Sequence, residues 1–548
     1  MATTTTTRLR ERLCFLVAVA IATALAIVLR TYGITQQVVL DDEWHAIHKL
    51  MTSSFSNIYR SFGAADHSIP LTLLYKAMAQ TIGLAEGRLR VPQIVFGVAT
   101  VPIAAWIAWR ATRDAPAAAL FAFLVAGAPF LVMWSRFARP YAMTPLLAMI
   151  CVATLWRWRV HRSRALGAGF AVSAALLAWL HPLSGIFAAI AGLFVFVEDV
   201  AAPADIRPRP SRSSLKLGAG VAFAMTLALA APVIQDFHSL TAKTGGDQPG
   251  LATYERMLAI FWGGLPTTAW VLACVIAAWG LVVVFRRDAR LAAYLALLGI
   301  VPPAVLTLLG AVWAQSGQNF GRYVLPVQLL LLFLGSVGAM SLVRAVTRPR
   351  AEAAAWVAAA LLSAGYLYAT PTIMQVATLG PWYAHLDHHW DYRYRWMAGK
   401  RGDASFDPPA FYRKLARMAP GSAPVIEAPF GWEAPYNALA YYATFHRQRE
   451  TFGMIHDLCR DGDRVGEIPP HDRRFRFRKF IFLDDVQAVR DSGARYLLLI
   501  RDVPHQRPFP ENGRCIEKLA RLYGEPVELD ARIAVFDLRP GEPPPKLQ

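Results

Sequence analysis

Long apolar runs recur through the first two thirds of the chain. They lie near 13–30, 91–109, 116–134, 140–157, 165–181, 183–198, 215–233, 267–285, 290–312, 324–343 and 353–370. Each is close to the ~20 residues an α-helix needs to cross the hydrocarbon of a bilayer. Backbone N–H and C=O groups find no water there, so a spanning run must satisfy them within itself as a helix. Of the residues, 55% are hydrophobic and only 17% charged, and the mean hydropathy is +0.34. A soluble globular chain is excluded by those values. The expected fold is a polytopic α-helical membrane protein of about eleven spans over residues 1–370. A polar segment, 371–548, follows and is expected to form a separate extracytoplasmic α/β domain.

The net charge of +18 would suggest nucleic acid in a soluble chain. Here the arrangement of the arginines accounts for it. Arg110 with Arg113, Arg157 through Arg164, Arg207 through Lys216, Arg286 with Arg290, and Arg344 through Arg350 fall in every second loop. That is the signature of cytoplasmic loops, and no nucleic-acid partner is needed. The N-terminus is then cytoplasmic, and an odd number of spans puts the C-terminal domain outside. The Arg-flanked run from Leu13 reads as an uncleaved first helix, because no small-x-small cleavage site follows it.

In 371–548 the stretches 423–429, 494–501 and 533–538 read as strands, with a helix across 484–492. The alternation of basic and aromatic residues over Arg473–Phe480 reads either as a strand with one basic face or as a contact for anionic headgroups or a phosphate. Cys14, Cys151 and Cys274 lie in apolar runs and read as small core residues. Cys459 and Cys515, both in the outer domain, are free to pair or not.

The outer loops collect most of the polar groups that lie near the membrane. The first, 31–90, opens with Asp41-Asp42-Glu43. Three adjacent carboxylates repel one another, so near a membrane they need a cation, a proton or a hydrogen-bond network. The plain alternative is a solvated helix start, with Asp41 as N-cap and Glu43 in the first turn. The other outer loops carry Ser135–Tyr141, the His181-Pro182 turn, residues 234–266 with Lys243, and Ala314–Tyr323.

Taken in order, these elements resemble the GT-C superfamily of membrane glycosyltransferases, in its protein O-mannosyltransferase and aminoarabinose-transferase branch. The likeness covers roughly residues 10–345. Asp41-Asp42 matches the acidic pair, Asp66–Leu71 the element that ends the first outer loop, and Arg88–Pro92 the start of the second span. Ser135–Ala142 matches the next motif, His181 the His that ends the fifth span, and Arg322-Tyr323-Val-Leu-Pro326 the start of a late span. Two positions depart from the pattern: Ser68-Ile69 stand where His-Pro is common, and Phe137 stands where the motif usually has Glu.

The resemblance implies an inverting transferase that moves a sugar from a polyprenyl-phosphate donor to a protein, lipid or cell-envelope acceptor at the outer face. An acceptor hydroxyl needs a general base, which the resemblance assigns to Asp41 or Asp42, with Asp41 nearer the membrane end of the loop. Glu43, Asp66, His67, Arg136, Arg139, His181, Lys243, Arg322 and Tyr323 are the expected substrate contacts. The guanidiniums suit a phosphate leaving group, although each alone also fits an interfacial Arg. A Mg²⁺ or Mn²⁺ ion at Asp41, Asp42 and Glu43 stays open, because hard oxygen ligands suit either. Gly- and Pro-interrupted segments at 261–266 and 302–303 either line a groove for the donor lipid or are an interfacial Trp and a kinked helix. Two other classes remain: a lipid-linked-sugar transporter or flippase, and a non-catalytic relative acting in envelope assembly. Nearly acid-free spans weigh against a transporter.

Overall fold

The computed structural model describes residues 2–35, 37, 39, 42–201, 212–242, 244–312, 314–347, 352–370, 408–429, 446, 448–455, 474–477, 480–501, 512–543, 545 and 546. Within these, the side chains of 2–8, 42, 44, 46, 48, 200, 201, 212–215, 512 and 513 are not described. The chain divides into two compact units. The first comprises Met1–Thr31, Ser53–Leu74 and Val91–Met374; the second comprises Tyr32–Thr52, Tyr75–Arg90 and Gln375–Gln548. The expected boundary at 370/371 adjoins residues outside the described set.

The helices, in order, are α1 (Ala2–Thr31), α2 (Asp42–Thr52), α3 (Phe55–Arg60), α4 (Ile69–Thr81), α5 (Glu86–Thr112), α6 (Ala115–Gly127), α7 (Pro129–Ser135), α8 (Met143–His161) and α9 (Arg164–Leu180). They continue with α10 (Gly185–Ala201), α11 (Arg212–Thr241), α12 (Leu251–Phe261), α13 (Thr267–Arg287), α14 (Ala289–Leu308), α15 (Gly317–Tyr323), α16 (Leu325–Thr347) and α17 (Glu352–Ala369). Among the described residues, eight helices are long and apolar enough to cross a membrane: α1, α5, α10, α11, α13, α14, α16 and α17. The other three expected spans differ. The run 116–134 is the bent pair α6 and α7, which meet at 55°, and α9 has only 17 residues, whereas α10 reaches 18 with the turn before it, as Pro182–Asp199. Helix α8 has the length, but Arg157, Arg159 and His161 make its last turns polar.

The bend between α6 and α7 has a local cause. Pro129 opens α7 and has no N–H to continue the ladder, so the last carbonyls of α6 need other donors. The buried Arg30 guanidinium supplies them, donating to Ala126 O at 2.9 Å and Val125 O at 3.3 Å. Farther along, α13 and α16 cross with their backbones nearly touching. A Cβ on Gly280 would stand 1.9 Å from Leu334 O, and one on Gly338 would stand 2.0 Å from Ile276 O. Small residues at such crossings let apolar helices meet where no hydrophobic force separates protein from lipid.

The second unit contains a six-stranded sheet in the order β3-β2-β1-β4-β6-β5. Its strands are β1 (Val425–Ala428), β2 (Glu450–Met454), β3 (Phe480–Phe482), β4 (Tyr496–Ile500), β5 (Glu528–Leu529) and β6 (Ile533–Asp537). The first four are parallel, and β6 runs antiparallel to β4 and β5. Every residue of β1 and β4 is buried, as expected of strands covered on both faces. The core gathers Ile426, Leu497, Leu499 and Phe536 with Val489 and Leu519 from the helices 486–491 and 512–523. Within the basic-aromatic stretch, Phe475 makes a lone bridge to Leu84, and strand β3 begins only at Phe480. Arg473, Arg478 and Lys479 lie outside the described residues. Cys515 is disulfide-bonded, and Cys459 lies outside the described residues.

Candidate functional site

In the first unit a tight turn precedes α4. Asp66 (φ 46°) and His67 (φ 60°) both take left-handed backbone, and His67 N–H returns to Phe62 O at 2.8 Å. Asp is among the few residues that enter this region readily. The turn brings the buried Asp66 carboxylate onto the Arg139 guanidinium as an ion pair. Arg139 stands directly before the 3-10 turn Pro140–Ala142 that leads into α8.

Tyr141 of that turn is the centre of an aromatic group. Its ring lies 4.6 Å from Trp134, 5.7 Å from His181 and 6.2 Å from Tyr323. His181 and Tyr323 stack at 5.3 Å. The His ends α9 because Pro182 follows it, and a residue before Pro is driven to extended backbone. Ser184 Oγ lies 3.5 Å from His181 Nδ1. From α15, held at its start by the Ser316 N-cap, Arg322 lies over the rings of Tyr141 and Tyr323, 5.2 Å and 5.1 Å from their centres. Its Nη2 donates to Tyr323 Oη at 3.2 Å. Asp66, Arg139, His181, Arg322 and Tyr323 are all buried. His181, Arg322 and Tyr323 thus gather on Tyr141, and the Asp66–Arg139 ion pair adjoins the same turn: two guanidiniums, one carboxylate, one imidazole and one further phenol. Such a set can bind an anion and orient hydroxyl groups.

Other expected residues fall elsewhere. Arg136 is buried and donates to Leu29 O, at 3.1 Å, near the end of α1. His67 is half-buried in the turn beside Asp66. Phe137 packs edge-on against Trp134 at 5.4 Å. Trp262 is buried, and its Nε1 bonds Cys274 Sγ at 3.2 Å. Lys243 and Asp41 lie outside the described residues.

In the second unit, Asp42 opens α2. Next to it, the buried Glu43 takes a two-pronged bond from Arg90, with Nε to Oε1 at 2.9 Å and Nη2 to Oε2 at 2.6 Å. Arg90 also donates to Gln37 O at 2.7 Å. Both oxygens of Glu43 are thereby held by one guanidinium.

A second polar group lies in the sheet. Glu427, His446 and Glu450 are buried with one ligand atom from each within 4.8 Å of the others. Their bonding argues for a network rather than a metal centre. Gln448 N–H donates to His446 Nδ1 at 3.1 Å, which leaves the ring proton on Nε2, facing Glu427 Oε1 at 3.1 Å. Burial pushes the Glu427 carboxyl up to about 8, moderated by the Tyr412 hydroxyl. Burial likewise pulls the His446 imidazole down to about 4, against the charge of Glu450. Burial thus favours the neutral form of both groups.

Sequence reading did not single out Tyr141 or Arg90, although both lie within the motifs quoted. Nothing in the sequence pointed to the Glu427 network.

The fold and these groups define a polytopic α-helical membrane protein with a second, partly α/β unit. No protein-family model matches the chain, and no curated protein matches its sequence. Among solved structures it is similar to ArnT from Cupriavidus metallidurans in the apo state, at 15% identity and a TM-score of 0.47, covering 94% of this chain and 97% of that one. It is also similar to the same protein bound to undecaprenyl phosphate, at 14% identity and a TM-score of 0.44, with the same coverage.

Proposed function

We propose that the protein is an inverting glycosyltransferase that takes its sugar from a polyprenyl-phosphate donor at the outer face of a bacterial inner membrane. The observation that carries this reading is a pair of buried guanidiniums at one 3-10 turn: Arg139, paired with Asp66 directly before the turn, and Arg322, over the ring of Tyr141 within it. Charge builds on the lipid phosphate as the sugar leaves, and donors held in place for that charge lower the barrier. Asp66 holds Arg139, and the rings of Tyr141 and Tyr323 hold Arg322, with His181 stacked on Tyr323. The motif order over residues 10–345 supports the same reading.

In the reaction, Asp41 or Asp42 accepts the proton of the acceptor hydroxyl. The acceptor oxygen bonds to the anomeric carbon from the face opposite the phosphate. The bond from carbon to phosphate oxygen breaks, and its electron pair leaves with the polyprenyl phosphate. Arg90, through Glu43, positions the segment that carries both aspartates. The acceptor class stays open among protein, lipid and envelope glycan.

The test uses the full chain in proteoliposomes with radiolabelled polyprenyl-phosphate hexoses and pentoses and an envelope-lipid acceptor fraction. An Asp41→Asn, Asp42→Asn double substitution is expected to lower sugar transfer on the order of a hundredfold or more, the usual worth of a general base. Arg322→Lys, which keeps the charge but loses the planar stack, should lower it about tenfold. Unchanged transfer in the double variant would sink the assignment of the base. Label that crosses the bilayer still attached to its lipid, with no transfer, would favour a flippase.

A further inference from the structure

A cavity of about 680 Å³ lies inside the helix bundle of the first unit, walled by α5, α8, α14 and α16. Its basic rim is far from the Tyr141 group, although its inner walls reach Pro145 and Pro326, about one turn beyond Tyr141 and Tyr323. Arg139 stands just ahead of α8, whereas the cavity is rimmed by residues at the end of α8, and the 19 residues of that helix span roughly 28 Å.

The interior of the cavity is apolar, with Trp156, Leu295, Leu298 and Phe333 among its walls. Its rim is basic: Arg110, Arg113, Arg157, His161 and Arg287 line it, with Asp288 as the one acid. That acid is committed to capping α14, accepting from the N–H groups of Arg290 and Leu291. Other acids placed at this end are matched to different arginines, and Glu11 and Glu352 act on Arg344. Asp114 pairs with Arg344, Glu198 with Arg159, and Asp199 with Arg162. Among the described residues, none of the five rim cations has a carboxylate partner. The protein therefore neutralises the surrounding arginines and leaves an excess of positive charge at the mouth of an apolar chamber.

We propose that this cavity is a binding site for an anionic membrane phospholipid, with its phosphate among Arg110, Arg157 and Arg287 and an acyl chain inside. Both halves of the site match that chemistry. Guanidiniums recognise phosphate oxygens by paired N–H donors, and basic pockets between transmembrane helices take anionic headgroups. The chamber has the size of a small-ligand site, and water alone would be poorly held by its hydrocarbon walls. The bound lipid would stitch α5, α8 and α14 together at the end where α8 is most polar.

The experiment is native mass spectrometry of the full purified chain, titrated with phosphatidylglycerol and, separately, phosphatidylcholine. One tightly held phosphatidylglycerol is expected, and inorganic phosphate at millimolar concentration should not displace it. An Arg110→Gln, Arg157→Gln, Arg287→Gln triple substitution is expected to weaken phosphatidylglycerol binding on the order of a hundredfold. Equal retention of both lipids by the natural chain, or unchanged phosphatidylglycerol affinity in the triple variant, would overturn the proposal. So would displacement by inorganic phosphate, which would make the rim a free-anion site. If the triple variant does not fold, Ala153→Trp decides, because it fills the apolar chamber and leaves every rim charge in place. Loss of the lipid from that folded variant supports the proposal, and retention overturns it.

Discussion

Arg90 and Glu43 carry much of the geometry of the first outer segment. Both side chains are essentially inaccessible, at 0% and 1% exposure, so their charges persist chiefly because each faces the other, with Gln37 O taking a further Arg90 donor. Removing one partner leaves a bare charge in a dry place, which costs about 3–5 kcal/mol. We expect Arg90→Met and Glu43→Leu each to destabilise the protein on that scale. The double variant should be markedly less impaired than the sum of the two. Unfolding of the detergent-solubilised variants in a double-mutant cycle measures the coupling, and additive single effects would contradict a tight buried pair. Glu43 was legible as part of an acidic cluster and Arg90 as part of a motif. Their pairing was not, because 47 residues separate them and local periodicity carries no information about such a contact.

At the level of helices and strands, hydrophobic periodicity performed well where burial is continuous. Strands β1, β4 and β6 fall inside the stretches read from the sequence, since they are the apolar centre of the sheet. The Arg473–Phe480 stretch was harder to read. An alternation of basic and aromatic residues fits a strand, yet the regular pairing of β3 starts only at Phe480. The bend at Pro129 also escaped, because an apolar run does not reveal that Arg30 stands ready to take the freed carbonyls. The crossing of α13 and α16 is the most exacting contact between two helices. Gly280→Leu is expected to destabilise the first unit by about 3 kcal/mol, the upper end of the usual cost of overpacking. Thermal unfolding in detergent checks this. An exposed position on the same helix, Val275→Ala, serves as the comparison, since it adds no atoms at the crossing. An unperturbed midpoint for Gly280→Leu would mean that the helices part without cost.

For the whole molecule, the arginine pattern makes a prediction about topology. If the bent pair, α8 and α9 each cross the membrane together with the eight longer helices, the two ends of the chain lie on opposite faces. Reporter fusions to Met1 and Gln548 are expected to report a cytoplasmic N-terminus and an extracytoplasmic C-terminus, and the same side for both would refute the odd count. The membrane-embedded character of this protein, the order of its spans and the kinds of side chain placed between them were determined by the sequence alone. Hydrophobicity over ~20 residues is a local property that a bilayer reads directly. Only the tertiary structure decided which polar residues meet: Asp66 with Arg139, Arg322 with Tyr141 and Tyr323, Glu43 with Arg90, and the unmatched arginines at the cavity rim. Each of these is an arrangement of charges brought together by helix packing, and packing depends on the shapes of surfaces far apart in the chain.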